Sequence, residues 1–174
     1  IMKQIRLSGS GGQGVITAAI ILAETAIAEN KEAVQSQSYG PEARGGASKA
    51  EVIISDSFIY HPKVNAPDIV LALTQKAADK YYADLKADGV LIVDEDLVPE
   101  IPAFKNVVKV PITRLAVDQL GNSIFANIVS LGVIVKKSKI VDLETLKKVV
   151  AKRVPPATIE KNMEAVMVGY NSID

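Results

Sequence analysis

Apolar residues along this chain fall into short continuous runs separated by amphipathic stretches, the pattern of buried strands alternating with helices. Residues 2–8 read as a short buried strand and Val15–Ala28 as a helix free of Gly and Pro. The helix opens Val15-Ile16-Thr17-Ala18-Ala19-Ile20-Ile21-Leu22-Ala23, apolar on nearly every side, so it should be covered on more than one face. Residues 33–39 read as a second strand made polar by Gln35, Ser36, Gln37 and Ser38, which suits either a site wall or an exposed edge. Ser48–Ser55 reads as a strand that turns at Asp56-Ser57 into Phe58 to His61, a hairpin that places an antiparallel element in the sheet. Pro62 and Pro67 bracket a connection to an apolar strand at 68–74, a helix at 75–86 and a strand at 89–94.

The last third is mainly helical. Val107–Val110 is a short strand closed by Pro111, and Ile112–Leu120 and 123–135 read as helices parted by Gly121-Asn122. The second of these is apolar enough to be a core or interface helix. Residues 142–153 form an amphipathic helix with Asp142 at its N-cap and Pro155-Pro156 as its stop, and 158–170 form a final helix. No repeat, low-complexity linker or second boundary interrupts the order. The expectation is one domain over 1–174, a three-layer α/β/α fold with a mostly parallel mixed sheet and an antiparallel hairpin.

Composition narrows the function classes. The 174 residues hold 20 basic and 20 acidic side chains, a balance that argues against binding nucleic acid or an anionic membrane by bulk charge. Cysteine is absent, which removes disulfides, thiolate nucleophiles and Cys-held iron–sulfur clusters or zinc from this chain. A single histidine, His61, reads as structural rather than catalytic. Apolar residues reach 48% against 5% aromatic, which fits a well-filled core or an apolar surface hidden by a partner. Ile1, standing before Met2, reads as a leftover of expression and is set aside, and no leader or membrane-length run is visible. The expected location is the cytoplasm.

The chemistry concentrates in Gly9-Ser10-Gly11-Gly12-Gln13-Gly14, between the first strand and the first helix. Its glycines allow tight turning, positive φ and close approach, while the following helix aims its unpaired N–H groups and positive dipole end back at the loop. Such a junction suits a phosphate, a carboxylate or a partner's acidic group. Gly9, Gly11 and Gly14 satisfy G-x-G-x-x-G, but the dinucleotide fingerprint also needs an acid at the end of strand two. Gln37-Ser38-Tyr39 stand there instead, with Glu32 too early and Glu42 too late, which counts against NAD. A second glycine-bearing run spans 40–46, where Arg44 either clamps an anion or pairs with Glu42 in a structural turn. The two loops should share one sheet edge. Asp94 and Asp96, at a strand's end, read as solvated turn residues.

Gly-x-Gly-Gly-Gln-Gly followed by an Ile/Ala-rich helix resembles the gamma subunit, or gamma domain, of the 2-oxoacid:ferredoxin oxidoreductases. The run Gln35-Ser36-Gln37-Ser38-Tyr39-Gly40-Pro41-Glu42-Ala43-Arg44-Gly45-Gly46-Ala47-Ser48 looks like that family's second signature. Pro67-Asp68, Gln75 and the segment 94–98 also sit where its pattern has them. The resemblance implies a subunit of a multichain enzyme that decarboxylates a 2-oxoacid on thiamine diphosphate, passes electrons through iron–sulfur clusters to ferredoxin and releases an acyl-CoA. Alpha, beta and delta type subunits are the implied partners. They would carry the thiamine diphosphate and the clusters, since this chain has neither cysteine nor the G-D-G…Asn-Asn signature. Coenzyme A is the implied co-substrate. No catalytic or metal-binding residue is expected here; Gly9, Gly11, Gly12, Gln13, Gly14, Tyr39, Glu42 and Arg44 would face it. The second signature is more like the 2-oxoglutarate members, with branched-chain and pyruvate members as alternatives. A stand-alone Rossmann-like nucleotide-binding protein and a scaffold subunit that binds no ligand are the rival readings.

Overall fold

The structure, a computed structural model, describes residues 1–38 and 46–174. Among them six strands form one mixed sheet in the order β2-β3-β1-β4-β5-β6: β1 (Met2–Gly9), β2 (Glu32–Gln37), β3 (Ser48–Ser55), β4 (Ile69–Ala72), β5 (Val90–Asp94) and β6 (Val107–Val110). β1, β4, β5 and β6 run parallel, and β3 lies antiparallel between β1 and β2. The helices are α1 (Val15–Ala28), α2 (Gln75–Tyr81), α3 (Ile112–Leu120), α4 (Ala126–Ser138), α5 (Leu143–Arg153) and α6 (Ile159–Asn171).

Two apolar clusters, one on each face, hold the layers together. The larger joins Ile5, Leu7, Val52 and Leu71 of the sheet to Ile21 and Leu22 of α1 and Leu131 and Ile134 of α4. α1 is thereby buried on two sides, against the sheet and against α4 and α5, as its all-round apolar start implied. The smaller cluster sets Val70, Ala72, Leu91 and Val93 against Ala77, Ala78 and Tyr81 of α2. Among the described residues, five helices thus lie on one side of the sheet and one short helix on the other.

Three elements differ from the sequence reading. Residues 58–61 form no strand: β3 already has β1 and β2 on its two sides, so no edge remains for a hairpin partner. Phe58 and Tyr60 instead stand exposed, edge to face at 4.9 Å. The helix expected at 75–86 stops at Tyr81, whose carbonyl accepts from Arg6 Nη1 at 3.0 Å, and the chain bends so that Asp84 pairs with the same guanidinium. The segment 123–135 divides into a 3-10 turn, capped by the Asn122 side chain on Ile124 N–H (3.0 Å), and α4, which runs on to Ser138.

Candidate functional site

The glycine loop stands at the end of β1, with Gly9 opposite Ser48 of β3. Gln13 N–H donates to the Ser10 carbonyl at 3.3 Å, and Gln13 Oε1 accepts from Ser10 N–H at 2.6 Å. This folded-back amide occupies the space a Cβ on Gly9 would need, so the Oε1 end of Gln13 is spent within the loop. Gly12 and Gly14 adopt φ of +87° and +76°, the left-handed region that glycine enters without steric cost. Gly14 is the N-cap of α1; no side chain caps this end, and no acid lies in its first turn. Gly11 and Gly12 are exposed, and a Cβ on either would meet nothing within 4 Å. The loop thus combines uncapped N–H donors, a favourable dipole end and open space beside its two central glycines.

Tyr39, Glu42 and Arg44 lie outside the described residues, but both flanks of their segment are placed. Gln37 pairs with Ala50 across the sheet, and Ser38 N–H donates to the Lys49 carbonyl at 3.1 Å. Gly46, at φ +82°, leads into Ser48, the partner of Gly9. Both flanks therefore open on the edge that carries the glycine loop, the edge where α/β sheets receive ligands. Among the described residues β2 is one of the sheet's two outer strands, and its Gln35 and Gln37 side chains bond to each other.

Two residues enter this edge that no sequence motif pointed to. Lys76, exposed in the first turn of α2, brings its Nζ within 3.6 Å of where a Gly46 Cβ would stand. Asn127, in the first turn of α4, donates from Nδ2 to the Gly14 carbonyl at 3.3 Å and accepts at Oδ1 from Ile128 N–H at 2.9 Å. Asn127 is 113 residues from Gly14 in the chain, and nothing local in the sequence marks the contact.

The remaining polar groups are structural. Asp94 is not a solvated turn residue: it is fully buried, and its carboxylate accepts from Asp96 N–H (3.0 Å), Leu97 N–H (3.2 Å) and Thr113 N–H (2.9 Å). It ties the end of β5 to the start of α3, a contact across 19 residues that the strand's local sequence does not disclose. Asp96 is exposed and takes two bonds from Arg114, which hold that guanidinium above its ordinary pKa. Arg6, buried on the α2 face, pairs with Glu51 at 2.7 Å and in two-pronged fashion with Asp84. Burial opposes the Arg6 charge, but the bonds to Asp84 and Glu51 outweigh it and raise its pKa. Arg6 in turn holds the Asp84 carboxyl below its usual range, against a smaller opposing push from burial. His61 is exposed.

The donor set does not fit an iron–sulfur cluster, because the chain has no cysteine, and the described residues hold no group of three His, Cys, Asp or Glu placed for a metal. Among the described residues no helix is long and apolar enough to cross a membrane.

Comparison with known proteins places this geometry in a family. The 2-oxoglutarate synthase subunit KorC of Methanocaldococcus jannaschii is 51% identical over 174 residues, spanning 97% of this chain and 92% of that one. The crystal structure of the keto/oxoacid ferredoxin oxidoreductase gamma subunit from Geobacter sulfurreducens superposes with a TM-score of 0.90 at 49% identity, covering 98% of this chain and 97% of that one. The pyruvate oxidoreductase subunit PORC of Thermotoga maritima matches with a TM-score of 0.84 at 27% identity, over 99% and 97% of the two chains. The profile of the pyruvate ferredoxin/flavodoxin oxidoreductase family matches residues 4–172. The chain belongs to that family, in the gamma-subunit branch of the 2-oxoacid:ferredoxin oxidoreductases.

Proposed function

We propose that this chain, acting as one domain, serves a cytoplasmic enzyme that converts 2-oxoglutarate and CoA to succinyl-CoA and carbon dioxide, passing two electrons to ferredoxin. Identity of 51% to a 2-oxoglutarate synthase subunit, against 32% to a pyruvate synthase subunit, favours 2-oxoglutarate as the oxoacid. Alpha, beta and delta type chains supply the thiamine diphosphate and the clusters. The gamma chain contributes binding and orientation. The observation that carries this reading is the exposed pair Gly11 and Gly12 beside the uncapped start of α1. Their N–H groups would receive an anionic part of CoA, with Tyr39, Glu42 and Arg44 forming the adjoining wall and Arg44 meeting an anion.

One observation favours a second reading, in which the loops only pack against a partner chain. The open space beside Gly11 and Gly12 suits the close approach of another chain's backbone as well as it suits an anion. Hydrogen exchange of the intact complex, recovered with the tagged chain and identified by native mass, separates the two. CoA-dependent slowing at residues 9–14, absent with the 2-oxoacid alone, supports CoA binding. Slowing on assembly that CoA leaves unchanged supports the scaffold. Unchanged CoA-dependent turnover in Arg44→Ala removes Arg44 from its role.

A further inference from the structure

We propose that Asn127 is a positioning residue for the glycine loop, setting from α4 how Gly11 and Gly12 meet the anionic part of CoA; this rests on the loop being the CoA-facing edge. The two central glycines have open space where a side chain would stand, and the Ser10–Gln13 turn that brackets them is anchored through the loop's two ends. At one end Gly9 is held in the sheet opposite Ser48. At the other the Gly14 carbonyl accepts from Ala18 N–H at 3.0 Å within α1 and from Asn127 Nδ2 at 3.3 Å. Asn127 cannot turn its amide over without loss, because Oδ1 is engaged by Ile128 N–H. It also fills the volume beside Gly14, where a Cβ would come within 2.6 Å of Nδ2. Neither α1 nor α4 carries an acid in its first turn, so the amide supplies a donor here without adding a negative charge.

Charge separates positioning from simple packing. Asn127→Asp keeps the shape, removes the donor and adds a carboxylate. In the first turn of α4 that carboxylate favours the helix, whereas it opposes an anionic ligand. The test measures kcat and KM for CoA and for 2-oxoglutarate in the assembled complex, with Gly11→Val as a probe of the loop. Asn127→Ala should raise KM for CoA about three- to tenfold, the loss of one hydrogen bond, with KM for the 2-oxoacid within about twofold. Asn127→Asp should raise it further while melting no earlier than Asn127→Ala. If Asn127→Ala fails to assemble, the isosteric Asn127→Asp supplies the same readout. A raised KM for CoA in Gly11→Val with neither Asn127 variant moving it overturns the proposal alone. No effect from any of the three overturns the loop reading as well. Equal changes in both KM values, or Asn127→Asp binding CoA better than Asn127→Ala, reduce Asn127 to packing.

Discussion

Replacing Asp94 with alanine removes an acceptor shared by three backbone N–H groups, and the cost can be worked out bond by bond. Asp96 and Leu97 sit in an exposed turn, so water takes up their freed N–H groups, and each lost bond is worth about 0.5–1 kcal/mol. Thr113 N–H opens α3, facing the fully buried carboxylate, and its charge-assisted bond is worth about 1.5–2 kcal/mol. The sum is about 3 kcal/mol. For a chain of this size that lowers the midpoint of thermal unfolding by about 6–12 °C. Asp94→Asn keeps Oδ1 for the turn but faces Thr113 N–H with a donor, so it should lose about half as much. Circular dichroism melts give both shifts, and amide exchange at Thr113 should quicken in both variants. A melt of Asp94→Ala within about 2 °C of the parent, or Asp94→Asn as damaging as Asp94→Ala, would refute the claim that the carboxylate holds β5 to α3.

Other expectations follow from the same geometry. Arg6→Met leaves the Glu51 carboxylate buried, with Lys49 at 3.8 Å as its remaining ion partner among the described residues, and should cost about 3–5 kcal/mol in urea unfolding. The double change Arg6→Met with Glu51→Gln should recover part of that, and equal stability of single and double variants would deny the coupling. Because Asp84 is held below its usual 3.8, its contribution is whole above that value and fades as pH falls through the lowered one. Stability measured against pH should therefore steepen in acid below about pH 4, and Asp84→Asn should flatten that limb. Gly169→Ala would drive a Cβ into the Val129 carbonyl where α6 crosses α4, with a loss of about 2–3 kcal/mol; a neutral result would show that the helices slide apart freely.

How much of this was readable beforehand depended on whether the cause lay within the segment. Val15–Ala28, Ser48–Ser55, Val107–Val110 and Ile112–Leu120 fall where their apolar periodicity and bounding Gly or Pro put them, and Asp142 caps α5 through Glu144 N–H at 3.1 Å. The elements that differ answer to distant residues. Helix α2 ends early because Arg6, on the first strand, captures Tyr81 and Asp84. The 58–61 hairpin is absent because β1 and β2 claim both sides of β3, a matter of strand order that local alternation cannot encode. Asp94 reads as solvated in the sequence because its neighbours Glu95 and Asp96 are polar, while its third donor lies a strand and a turn away at Thr113.

The glycine loop divides in the same way, and the division bears on function. Gly14 has its reason within the fold: its φ is positive, and Asn127 stands where its side chain would be. Gly9 is crowded by Gln13 of its own loop. Gly12 has a backbone reason only, its φ of +87°. Gly11 has neither, since its φ lies outside the left-handed region and a Cβ there meets open space. A fold that must merely turn from β1 into α1 does not require glycine at that position. A requirement for glycine there comes from something that approaches the backbone from outside the chain. A chain that folds unchanged with alanine at Gly11, yet fails once CoA and its partner subunits are present, would locate that requirement in the assembled enzyme.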